Sequence, residues 1–191
     1  DMGCRNAFAK AGSSIYERHA LTGCFSYMTQ EQLMNWILTA AVYTKRTGDE
    51  RWTGVLKQCL TSMINRDNPD PAKRDGVMSF DSSKTLPGGC EVTTYDSLDA
   101  SLGQARANAY LAVKGFASYV ALADVLPAED AKLAFEQARR AAKTIVSAMR
   151  DGFVPALLDG TCDSKIIPVV EGLVYLHAMG RMDLLRTEFS D

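Results

Sequence analysis

The sequence predicts an all-α protein, a partial toroid of paired inner and outer helices. Three observations point to it: two helical segments apolar around nearly their whole circumference, one-sided amphipathic helices after them, and alternation of short and long connections. Apolar residues make up 47% of the 191 positions, enough for one domain with a substantial core.

The first inner helix is read over residues 30–47. Leu33, Met34, Trp36, Ile37, Leu38, Ala40, Ala41, Val42 and Tyr43 leave almost no polar face, so the helix should be buried on both sides. Thr29 with Gln32 fits a capping box, and Gly48 supplies the stop. Trp52, Val55, Leu56, Cys59, Leu60 and Met63 then recur at spacings of three and four, opposite Lys57, Gln58 and Asn65. That pattern describes an outer helix.

A second inner helix is expected over 101–124, with Asp99 or the Ser101/Gln104 pair as its cap. After Leu126-Pro127, an outer helix over 128–150 should turn Leu133, Phe135, Ala138, Ala142, Ile145, Val146 and Met149 inward. A third inner helix would start at Pro168, a residue suited to a first helical turn, with an outer partner starting near Met182. The connections from inner to outer helix are tight, whereas 67–100 and 151–167 are long. All long loops should therefore share one face with the N-termini of the inner helices, whose partial positive charge favours carboxylates and substrate oxygens.

Composition narrows the function. The formal charge of -2 and the absence of a basic stripe argue against nucleic acid and anionic membrane as partners. No apolar run approaches the ~20 residues of a membrane span, and no signal-peptide layout is present, so a soluble, cytoplasmic protein is expected. Five dispersed cysteines and two isolated histidines form no metal-ligand spacing; reduced thiols, no metal and no cofactor are the expectation. His177, among Leu176, Ala178 and Met179, reads as a packed helix residue. Motifs for serine hydrolases, zinc proteases and nucleotide binding are missing.

Carboxylates remain. Glu91, Asp96 and Asp99 gather before one inner helix, and Asp159, Asp163 and Glu171 before or inside the next. Paired carboxylates serve glycoside hydrolysis, one protonating the leaving oxygen while the other attacks the anomeric carbon or activates water. On spacing alone, helix capping competes with catalysis as the role of several of these groups.

The stretch Thr93 to Asn108, TTYDSLDASLGQARAN, resembles the catalytic domain of glycoside hydrolase family 52, the bacterial β-xylosidases. So do Gly23-Cys24-Phe25-Ser26, Asn35-Trp36, Asp75-Gly76-Val77-Met78, and Asp163 through Pro168 with Glu171-Gly172-Leu173. The resemblance implies a retaining, exo-acting β-xylosidase acting on xylo-oligosaccharides, with an N-terminal β-rich domain ahead of an (α/α)6 barrel. It puts the general acid/base on Asp96. The family's nucleophile is a glutamate upstream of the part that resembles Asp1-Met2-Gly3, and no residue here matches it, including Glu17, Glu91 and Glu171.

Tyr95 could stack on a pyranose or pack in the core, and Asp1, Asp163, Lys165 and Glu171 are expected on the shared face, where they could bind sugar hydroxyls. Read this way, residues 1–191 are part of the catalytic barrel, inactive alone and, through exposed apolar edges, prone to self-association. The Thr-Tyr-Asp motif is also similar to the glucosylceramidase-like family 116, so a β-glucosidase is an alternative. A helical-repeat interaction module is a second one.

Overall fold

The computed structural model describes residues 29–80, 93–94, 105–165 and 171–189. Among the described residues there are six α-helices: α1 (Thr29–Thr47), α2 (Thr53–Asp67), α3 (Ala109–Val125), α4 (Ala128–Ala148), α5 (Glu171–Met179) and α6 (Leu184–Glu188), with a 3₁₀ turn at Pro71–Lys73. Among the described residues there is no strand, only isolated bridges such as Asn108 with Leu157. The all-α expectation holds.

The two layers are those the sequence predicts. α1, α3 and α5 pack side by side, and α2, α4 and α6 lie outside them. α3 is the centre: every residue from Ala109 to Leu122 is buried, including Tyr110, Phe116 and Tyr119. α4 presents Ala134, Ala138, Ala141 and Ala142 to it, and these small side chains let the two backbones approach closely. On the other flank, a Cβ at Gly172 would lie 2.9 Å from the carbonyl of Val113, so α5 crosses α3 where only glycine fits.

The inner helices run in one direction, and their ends show it. Lys45, near the C-terminus of α1, donates to Asp124 near the end of α3 (2.5 Å) and to the carbonyl of Met179 at the end of α5 (2.5 Å). Arg181 also pairs with Asp124. Cations near helix C-termini oppose the local dipole, so this cluster ties three helix ends together. The N-termini lie at the opposite end, with Thr93, Thr94 and the 156–158 segment beside them.

Four expectations are corrected. α3 starts at Ala109, not Ser101: residues 105–108 are not helical, and Asn108 is the cap, its Oδ1 accepting from the backbone N–H groups of Tyr110 (2.9 Å) and Leu111 (3.4 Å). Neither Asp99 nor the Ser101/Gln104 pair can cap it. α1 is not buried all round; Gln32, Trp36, Thr39 and Tyr43 form an exposed stripe, and Trp36 stacks edge-on against Trp52 at 6.0 Å. The inward face of α4 is rotated, leaving Leu133 and Met149 exposed while Gln137 is buried. His177 is exposed rather than packed. The Pro168 start and the Thr29 side chain of the capping box lie outside the described residues.

Candidate active site

Glu31 is in the first turn of α1, where the helix N-terminus favours a carboxylate. It is almost completely buried, and its two oxygens divide the work. Oε2 accepts from the Thr94 hydroxyl (2.5 Å), and Oε1 accepts from the Tyr110 hydroxyl (2.8 Å) and faces Lys114 Nζ at 3.5 Å. Lys114 also donates to the Tyr110 oxygen (2.8 Å). Tyr110 and Lys114, one helical turn apart on α3, thus meet Glu31 on one side.

A buried carboxylate needs such partners, because loss of water must be offset by an opposite charge and by donors to its lone pairs. The network also reaches the backbone. Glu31 N–H donates to the Thr93 carbonyl (3.2 Å), and the Thr93 hydroxyl donates to the Ala105 carbonyl (3.2 Å). Thr93 and Thr94 are fully buried by this arrangement. The long loop is fixed there to the N-terminal ends of two inner helices.

The second long loop docks at the same place. Ala109 N–H donates to the Ala156 carbonyl, Leu158 N–H to Ala107, and Ala156 N–H to Ser164. Ala107, with a φ of 53°, turns the chain from the loop into the Asn108 cap. Gln30 Nε2 and Asn108 Nδ2 are buried donors at this end without a hydrogen-bond partner among the described residues.

Of the residues singled out in the sequence, Asp1, Glu91, Tyr95, Asp96 and Asp99 lie outside the described residues, as does the side chain of Glu171. Asp163 is exposed in the second loop. Lys165, also exposed, sits 4.4 Å from the Phe153 ring, as a cation over an aromatic face. Asp159 is held below the ordinary carboxylate range by the hydroxyl and backbone N–H of Thr161, which makes it a turn residue. Among the described residues no group of histidine, cysteine or acidic side chains could hold a metal.

Glu31, Tyr110 and Lys114 did not stand out as site residues. The available signal was Lys114, a single cation in the apolar run from Tyr110 to Val120. A charge there requires a buried partner.

Comparison with known proteins gives a consistent picture. The profile of glycosyl hydrolase family 52 matches residues 1–43. A β-xylosidase of Geobacillus stearothermophilus is 54% identical over 184 residues, which is 92% of this chain and 26% of that protein. Another β-xylosidase of the same organism is 37% identical over 172 residues, 88% of this chain and 25% of the relative. The chain thus spans about a quarter of the length of these relatives.

Proposed function

We propose, from the premise that the chain is kin to glycosyl hydrolase family 52, that it contributes the acid/base half of a retaining β-xylosidase site, with Asp96 as the general acid/base. The observation that carries this reading is the anchoring of Thr93 and Thr94, directly ahead of Tyr95 and Asp96. Buried contacts to Glu31 and Ala105 tie them to the N-terminal ends of α1 and α3. A proton donor needs a fixed approach to the glycosidic oxygen, and a loop anchored two residues away supports one.

In such a reaction Asp96 gives its proton to the departing oxygen while a carboxylate from outside these 191 residues attacks the anomeric carbon. Ionised Asp96 then takes a proton from the water that releases xylose. The substrate is a xylo-oligosaccharide, and Tyr95, Asp1, Asp163, Lys165 and Glu171 are the groups proposed to meet its hydroxyls. The 191 residues are then part of a catalytic helical domain. The half-buried free thiols Cys59 and Cys162 fit residence in the reducing cytoplasm.

A chimera tests this. Residues 1–191 replace the matched quarter of the 54%-identical β-xylosidase, and hydrolysis of xylobiose and of an activated aryl β-xyloside is measured. The chimera should cleave both. Asp96→Ala should slow xylobiose about 10²–10⁴-fold and the aryl substrate far less, since a good leaving group needs no proton. Equal losses on both substrates would remove the acid/base assignment.

A further inference from the structure

We propose that a cavity between the 74–75 segment, the C-terminal half of α4 and Leu158 is a binding site for a small organic oxyanion, a carboxylate or a phosphate ester. The cavity is open to solvent and has a volume of about 440 Å³, within the range of small-ligand sites. Arg74, Arg140 and Lys143 line it together with the Ser147 hydroxyl, and Leu158 gives it an apolar wall.

These three cations have no carboxylate partner within 4.0 Å among the described residues. Other basic side chains do: Lys57 on α2 pairs with Asp130, Arg139 on α4 with Glu188, and Lys45 on α1 with Asp124. Arg74 donates through Nε to the Asn68 carbonyl and Arg140 through one Nη to Gln137, which leaves the rest of each guanidinium fork for a ligand. The dipole of α4 does not account for the cluster, since Arg140 and Lys143 precede its last turn.

Hydrogen bonds hold the backbone of one wall in place. Asp67, buried at the end of α2, accepts from the N–H groups of Asp75 (3.0 Å) and Gly76 (2.9 Å) and from Gln137 Nε2 (2.9 Å). Thr144 donates to the Asp75 carbonyl (2.8 Å). Among the described residues, the one acid lining the cavity is Asp75, one of whose oxygens accepts from Val77 N–H. Its carboxyl is pushed above its ordinary value, first by burial and then by the charge of Asp67.

Calorimetric titration of the chain with inorganic phosphate, glucuronate, glucose 6-phosphate and neutral glucose tests the assignment. Saturable binding of at least one anion is expected, with none of glucose. The glucuronate and sugar-phosphate arms separate carboxylate from phosphate, and the inorganic phosphate arm shows what the organic body adds. Arg140→Gln/Lys143→Gln should weaken binding at least about tenfold. Lys143→Gln alone, at a residue without a hydrogen bond or ion pair among the described residues, should weaken it severalfold with an unchanged melting temperature. Lys132→Gln, on the exposed side of α4, should leave it unchanged. Absence of saturable anion binding, or equal weakening by Lys132→Gln and Lys143→Gln, would overturn the proposal.

Discussion

Lys114 Nζ faces Glu31 Oε1 at 3.5 Å with both side chains withdrawn from solvent, and the Tyr110 hydroxyl bridges them. The pair joins α3 to α1 where the long loop is anchored. Removing one partner takes the opposite charge away from a desolvated group, which costs more than the pair itself contributes. Lys114→Met should therefore destabilise the fold by about 3–5 kcal/mol. Adding Glu31→Gln should recover part of the loss. Denaturant unfolding of both singles and the double measures this, and simple additivity would show the two groups to be uncoupled.

Gly76 has a φ of 86°, and a Cβ on it would lie 2.2 Å from the Ala141 backbone nitrogen. The left-handed conformation and the contact with α4 both exclude a side chain, and neither backbone can yield cheaply. Gly76→Ala should cost roughly 2–4 kcal/mol, from overpacking plus backbone strain. A loss below that of an exposed Gly54→Ala control, whose Cβ would meet open space, would contradict this.

Asn108 caps α3 through its Oδ1. Asn108→Ala should destabilise by about 1 kcal/mol, and Asn108→Asp, which keeps the acceptor, by less. Thermal melts rank the three proteins; an Asp variant as unstable as the Ala variant would assign the role to packing instead.

Asp75 sets a pH dependence. Its folded-state pKa is raised above the ordinary 3.8, by burial first. The folded protein therefore holds that proton more tightly, and the stability this lends is complete below the unfolded value and lost as pH rises through the folded one. Asp75→Asn cannot ionise but keeps the acceptor for Val77 N–H. Its melting temperature should rise relative to the parent between pH 3.5 and pH 7, and a constant offset would exclude Asp75 as the source.

Helix type and order were legible because periodicity reports which faces are apolar, and tight versus long connections report which way consecutive helices run. The α3 start was not, because Asp99, Ser101 and Asn108 are all competent caps. Only the contact of 105–108 with the Ala156 segment decides among them. The exposed stripe of α1 is not legible in the sequence because Trp36 and Tyr43 are apolar by type yet face outward, Trp36 beside Trp52, while His177 is exposed despite apolar neighbours in sequence.

By itself, the sequence determined an all-helical chain of inner and outer layers and carried the stretch that resembles family 52 glycosidases. Tertiary structure decided which charges live inside. Glu31, Thr94, Tyr110 and Lys114 are separated by up to 83 positions along the chain, and no local pattern pairs them. They become one network because parallel inner helices bring their N-termini together, and a buried carboxylate there persists only with a cation and hydroxyl donors in reach.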